Sequence, residues 1–292
     1  MVVETRRWWR SACTWSLAMA IGASLSGAGA LDLALPNKAD SFKFAVIGDF
    51  GTGDRPSFEV AAQMAALRAR FPFEIVITTG DNIIGDQDDP SDLAEKFERP
   101  FLPLLDAGVR FHASLGNHDK PANLLYPPFN MNGQRYYTFA RKNVRFFVLD
   151  TNRLDRPQLA WLEQALRRST DDWKICAFHH PLYSNGLKHG PSLELRVMLE
   201  PILVQHGVDA VFSGHDHFYE RLKPQKGIHY FVAGAGGQHE RDIQPSAATA
   251  ASFDEDRSFI AVEVSGHQLY FQAVSRGGAI VDVGTIDRRP TM

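Results

Sequence analysis

Through most of the chain, short apolar runs alternate with stretches of helical spacing. The runs are FKFAVIGDFG (42–51), FEIVITTGDN (73–82), VRFHASLGNHD (109–119), VRFFVLDT (144–151), WKICAFHHP (173–181) and VDAVFSGHDHF (208–218). Their apolar portions read as short buried strands. Between them the spacing predicts helices at 56–70, with a proline at an early helical position, at 91–99, at 156–168 and at about 192–206. In the third of these, Leu159, Leu162 and Leu166 share one face. After Gly227 the pattern becomes strand-only, at 228–233, 258–264, 268–274 and 279–284. One α/β domain is expected, with strands and helices alternating first and strands dominating later.

Composition narrows the class without naming it. The 292 residues are 44% hydrophobic and 22% charged, which is ordinary for a soluble globular protein. A sizeable core is available without disulfide staples. Net charge is −3 with no basic run, so no nucleic-acid footprint is present.

The N-terminus differs from the rest. Arg6, Arg7 and Arg10 form a basic head, an apolar stretch follows over about 12–25, and Ala28 and Ala30 fit a small-x-small cleavage pattern. The apolar stretch is too short and too rich in Ser, Thr and Gly for a comfortable membrane span. A cleaved export signal at 1–30 is therefore expected, leaving a single domain at 31–292, no stable membrane anchor, and a periplasmic or secreted product. TRRWWR resembles a twin-arginine signal only loosely, so that route and the general secretory route both stay open. Cys13 leaves with the signal, and Cys176, alone in an apolar strand, is expected to be a buried core thiol. Oligomeric state has no signature in the sequence.

The chemistry lies where the runs stop. Five of them end in Asp49, Asp81, Asn117, His179, and His215 with His217. One Gly-Asp after a strand is usually a turn, and one buried histidine is usually a satisfied core residue. Five such endings in carboxylate, carboxamide or imidazole point to a metal site at the carboxyl ends of the strands. Two cations about 3.5–4 Å apart can bind both the attacking oxygen and the substrate oxygens of a phosphoryl centre. Imidazole suits zinc or iron, and carboxylate also admits manganese or magnesium.

On these residues the sequence resembles the calcineurin-like metallophosphatases, and most of all the small tartrate-resistant purple acid phosphatases. That pattern runs D-x-G, G-D-x-x-Y, G-N-H-[ED], V-x-x-H, G-H-x-H. Here it reads Asp49-Phe50-Gly51, Gly80-Asp81-Asn82-Ile83-Ile84, Gly116-Asn117-His118-Asp119, Cys176-Ala177-Phe178-His179 and Gly214-His215-Asp216-His217. Similarity extends to LDT (149–151), QLAWLEQAL (158–166), HPLYSNGLKHG (180–190) and AGAGG (233–237). The resemblance implies an α/β/β/α sandwich, two mixed sheets flanked by helices, with the site at the strand ends. It implies that Asp49, Asp81 and His217 hold one metal, and that Asp81 bridges to a second held by Asn117, His179 and His215. It further implies in-line attack on a phosphomonoester by a metal-bound hydroxide, with His118 as donor to the leaving oxygen and His189 on the substrate phosphate. The implied partner is a small-molecule phosphate ester.

One position departs from the pattern. Ile84 stands where the family has a metal-binding tyrosine. Without that phenolate, two divalent ions (Fe, Mn or Zn) are expected rather than ferric iron, with a colourless protein and a pH optimum above the acidic range typical of the family.

Other residues carry blander expectations. Strand alternation would turn His180 away from His179, so only His179 is expected at the metals, with His180 lining the pocket or simply packing. His112 reads as structural, and His206, His229, His239 and His267 as surface residues. Asp119 is expected to orient His118 or bond backbone, and Asp150 to hold a turn. GDQDDPSD (85–92) lacks calcium-loop spacing, and GTGDRP (51–56) lacks the lysine of a phosphate loop. A phosphodiesterase on the same fold is the nearest rival, although Gly51 replaces the histidine of the cyclic-nucleotide branch. A non-catalytic metal- or phosphate-binding protein is the rival of another class.

Overall fold

The alternation of the runs becomes two stacked sheets in the computed structural model, which describes residues 32–288 other than 86, 88 and 90, together with Met1. The expected export signal therefore lies outside the described residues apart from Met1. The first sheet contains β1 (Phe42–Ile47), β2 (Ile75–Thr78), β3 (Arg110–Ala113), β11 (Ser258–Ser265), β12 (Gln268–Ser275) and β13 (Ile280–Asp287). Its order is β13-β12-β11-β1-β2-β3, parallel from β1 to β3 and antiparallel from β1 outward through β13. The second contains β4 (Tyr137–Arg141), β5 (Val144–Val148), β6 (Trp173–Ala177), β7 (Ala210–Ser213), β8 (Tyr219–Leu222), β9 (His229–Ala233) and β10 (Thr249–Phe253). Its order is β10-β8-β9-β7-β6-β5-β4, with β5, β6, β7 and β9 parallel.

The continuous apolar runs follow from burial on both faces. Along β1, Phe42, Phe44 and Val46 enter the core between the sheets, while Ala45 and Ile47 enter the core under the helices. Along β6, Ile175 and Ala177 face the other sheet, and Cys176 faces the opposite helical layer. Two mixed sheets flanked by helices are thus the architecture that the motifs imply. Cys176 is fully buried.

Helix starts are fixed by side-chain caps. Asp54 accepts the Ser57 N–H at the head of α1 (Arg55–Arg68), and Asp155 accepts the Gln158 N–H at the head of α3 (Arg156–Arg168). Ser192 caps α4 (Leu193–Gln205) in the same way. The helix expected to end at 99 instead passes through a π-turn at Ala94–Glu98 into α2 (Arg99–Asp106). Pro100 falls in the first turn of α2, where a missing N–H costs little. Phe101 is held by edge contacts to Phe50 and Phe111 at 5.1 and 5.2 Å between ring centroids. β4, β8 and β10 were not expected from the pattern. β4 and β10 are half-buried edge strands, and β8 carries Glu220 and Arg221 in its middle, so none presents an apolar run.

Phe44 sits between the sheets, its ring 5.2 Å from that of Phe146 and 6.3 Å from that of Phe212. Phe44→Ala should lower unfolding free energy by about 3–5 kcal/mol, read as a shifted urea midpoint at unchanged slope.

Candidate metal centre

Asp49 follows β1, Asp81 follows β2, Asn117 and His118 follow β3, His179 follows β6, and His215 and His217 follow β7. All lie at the carboxyl ends of central strands, where the two sheets share a rim. The chain turns sharply there. Asp49, Asp81 and His215 have φ of 55°, 51° and 71°, the left-handed region that non-glycine residues enter only at some cost. Two glycines permit the close approach. A Cβ on Gly116 would lie 2.1 Å from Asp81 Oδ1, and one on Gly214 would lie 2.4 Å from Asp49 Oδ2. The Gly-Asn and Gly-His pairs of the sequence are therefore steric requirements of the carboxylates packed against them.

The donors form two neighbouring sets. In one, His217 Nε2 stands 3.6 Å from Asp49 Oδ1. In the other, His179 Nε2 stands 2.8 Å from Asn117 Oδ1, 3.1 Å from His215 Nδ1 and 3.6 Å from Asp81 Oδ1. Asp49, Asp81 and His179 each offer a donor atom within 4.8 Å of the others, so the two sets adjoin. Donors held about 2.0–2.2 Å from one ion have edge-to-edge spacings of this size. Asp49 Oδ1 is buried and has no hydrogen-bond partner. An uncompensated buried carboxylate oxygen is costly, and a cation there removes the cost.

Electrostatics agree with this fit. Burial, then the Asp81 charge, pushes the Asp49 carboxyl well above its ordinary range, and burial also raises Asp81. Burial, then His180, pushes His179 far down. Burial, then His179, takes His215 down to about 2, and burial lowers His217. The imidazoles are thus neutral, with lone pairs available, beside two carboxylates that repel one another. Such a set accepts divalent cations without first releasing protons from histidine.

His118 and His189 also lie beside these donors. His118 donates its backbone N–H to Asp81 Oδ1 at 2.9 Å, and its half-exposed ring brings Nε2 to 3.9 Å from Asp81 Oδ2. His189 is exposed, with its ring 4.3 Å from that of His215 and 5.7 Å from that of His217. All eight residues singled out by the motifs, Asp49, Asp81, Asn117, His118, His179, His189, His215 and His217, are therefore brought together.

Buried carboxylates behind them lock the loops. Asp119 accepts the N–H groups of Gly116, Asn82 and Ile83, tying the Asn117 loop to the Asp81 loop rather than orienting His118. Asp216, between the two histidines, accepts the Ser184 hydroxyl and the Gly190 N–H. Glu220 accepts from Asn185 and Thr249, so the loop that carries His189 is pinned at two points. Asp150 holds a turn, as expected, through Arg135 Nη1 and the Asn152 N–H.

His180 lines a cleft beside the donors, although not by strand alternation. β6 ends at Ala177, so His179 and His180 lie beyond the strand and its alternation no longer applies. His179, His180 and His215 each bring a donor nitrogen within 4.8 Å of the others. Among the other histidines, His112 is buried and stacked on Phe139 at 3.8 Å. His267 is exposed, whereas His206, His229 and His239 are half-buried rather than fully at the surface. One neighbour went unnoticed in the sequence. Glu240 Oε1 stands 3.6 Å from His217 Nδ1, on the side of that ring away from Asp49, and pairs with Lys188. Carboxylates in this position orient metal-ligating histidines. No spacing rule links Glu240 to His217, so sequence alone offered no signal.

Strand-end carboxylates, a carboxamide and neutral imidazoles around a doubly layered sheet define a metallophosphoesterase. The family model described as calcineurin-like phosphoesterase matches residues 42–219, and the chain belongs to that family. It is a metallophosphatase of the purple acid phosphatase type. Tartrate-resistant acid phosphatase type 5 of Rattus norvegicus is 26% identical, over 86% of this chain and 92% of its own length. Purple acid phosphatase 17 of Arabidopsis thaliana is 30% identical, over 72% and 73%. In fold the chain is similar to the purple acid phosphatase PPD1 of yellow lupin, with a TM-score of 0.71 at 18% identity over 87% of this chain and 55% of that one. It is also similar to a dimetal phosphatase of Danio rerio, with a TM-score of 0.63 at 16% identity over 85% and 99%.

Gly214→Ala should displace the Asp49 carboxylate and weaken binding of added Mn²⁺ or Zn²⁺ by tenfold or more, measured by calorimetry. Gly277→Ala, whose Cβ would meet nothing nearer than 3.9 Å, is the neutral control.

Proposed function

We propose that the protein hydrolyses phosphomonoesters by in-line displacement, using two divalent ions held by Asp49, Asp81 and His217 on one side and by Asp81, Asn117, His179 and His215 on the other. The observation that carries this reading is the division of donors into two adjoining sets, next to the orphaned oxygen of Asp49. When bound, the ion pair supplies a water acidic enough to act as nucleophile at ordinary pH and polarises the phosphoryl oxygens. The chain supplies the rest. His118, half-exposed beside Asp81, gives a proton to the leaving oxygen. His189 and Asn117 hold the phosphate. The monoester preference is supported by the names of the relatives, which are acid phosphatases.

Metal identity follows from Ile84. Its N–H bonds to Gly51 O at 2.8 Å, which sets it beside the Asp49 loop, and its side chain offers no ligand atom. Both ions are therefore divalent and the protein is colourless. Export is part of the same reading and rests on the basic head, the apolar stretch and the Ala28/Ala30 pattern. Among the described residues no helix is long and apolar enough to cross a membrane.

The deciding experiment is metal analysis of protein purified without chelators, paired with a pH profile on p-nitrophenyl phosphate. Two divalent ions per chain, no visible charge-transfer band and an optimum nearer neutrality are expected. Turnover of bis-p-nitrophenyl phosphate above that of the monoester would show a diesterase instead. Asp81→Ala should abolish ion pairing and activity together. His118→Ala should keep both ions and lower kcat by about 10²–10⁴, with the greatest loss on esters of poor leaving groups.

A further inference from the structure

A sixth imidazole at the site has no part in the reading above. His180 sits with its ring centroid 4.9 Å from that of His179 and 4.5 Å from that of His215. With Asn117 and Thr151 it lines a cleft of about 630 Å³ that meets the donor sets at Asn117. Its orientation is fixed from behind. The Oγ1 of Thr151, a buried residue, lies 2.9 Å from His180 Nδ1 and accepts the backbone N–H of His180 at 3.1 Å.

This reciprocal pair allows one arrangement that uses every group. The Thr151 oxygen accepts the backbone N–H, and its hydroxyl can give its own proton to His180 Nδ1. With the Nδ1 lone pair so used, Nε2 carries the proton, and the ring donates a hydrogen bond rather than ligating through Nε2. The neighbouring metal position is also well supplied, since Asn117, His215 and Asp81 donors already surround His179 Nε2.

We propose that His180 is a substrate-binding residue that donates Nε2–H to a phosphoryl oxygen on the cleft side of the site, and that Thr151 is the positioning residue that fixes its tautomer and angle. The inference rests on the phosphatase reading. It adds a donor beside His215, and His189 stands against the same ring.

The test uses the metal-loaded protein and inorganic phosphate, with affinity measured by calorimetry and as a competitive Ki. His180→Ala and His180→Phe both remove the donor, and the second keeps the ring volume. Each should weaken phosphate binding about tenfold or more, the size of a hydrogen bond to a charged group, while two ions per chain are retained. Thr151→Val should weaken it several-fold, and Thr151→Ser should restore it. Phosphate affinity within twofold of wild type in both His180 variants overturns the proposal. So does loss of one ion per chain, which would make His180 a ligand. Wild-type affinity in Thr151→Val overturns the positioning role. Wild-type protein that binds neither ions nor phosphate defeats the phosphatase reading itself, an outcome separate from these.

Discussion

The structure depends on holding two carboxylates, Asp49 and Asp81, in a buried place where they repel one another. Neither gains from burial on its own account. Desolvation opposes the charged form of each, the Asp81 charge adds to it at Asp49, and the left-handed backbone at each adds to the cost. Much of the surrounding architecture reads as the means of forcing this arrangement. β1 and β2 are buried on both faces, so their ends have little freedom. Gly116 and Gly214 let adjacent loops close to van der Waals limits against the carboxylates. The backbone N–H groups of His118 and His215 donate to Asp81 and Asp49, offsetting part of the desolvation. What remains uncompensated is Asp49 Oδ1, and a cation completes it.

A second tier of buried carboxylates makes the loops rigid. Asp119 joins the Asn117 turn to the Asp81 turn, and Asp216 and Glu220 hold the segment that presents His189. These groups touch backbone N–H donors and side-chain hydroxyls and amides, so their role is geometric. Phosphoryl transfer places most of the catalytic burden on positioning and charge.

Much of this was legible in the sequence because the constraints are local. A strand buried on both faces must be a continuous apolar run, and a ligand at its end must follow within a few residues. The positions of Asp49, Asp81, Asn117, His179 and His215 could thus be read from the runs they terminate. The caps Asp54 and Asp155 sit one residue before their helices for the same kind of local reason. β4, β8 and β10 escaped notice because edge strands and strands with internal ion pairs lose the apolar pattern. Arg221 of β8, for example, is neutralised by Asp282 from the other sheet, at 2.7 Å. The extension of α2 past two prolines was hidden because the aromatic cluster that favours it is assembled from distant segments.

His180 shows where periodicity stops being a guide. The alternation rule was applied to a pair of residues that the strand no longer contains, and the chain after Ala177 turns both rings into one site. Its partner, Thr151, comes from another strand end, so their pairing is a tertiary fact with no counterpart in spacing. Glu240 and His217 meet in the same way. Residues proposed to hold the ions are set by where strands end and can be found from the sequence. Residues that set the angle of such side chains are fixed by contacts across the rim. At this rim, Thr151 and Glu240 each stand against one nitrogen of an imidazole near the donor sets. In the proposed reading, that arrangement turns a ring of similar histidines into distinct ligands and donors.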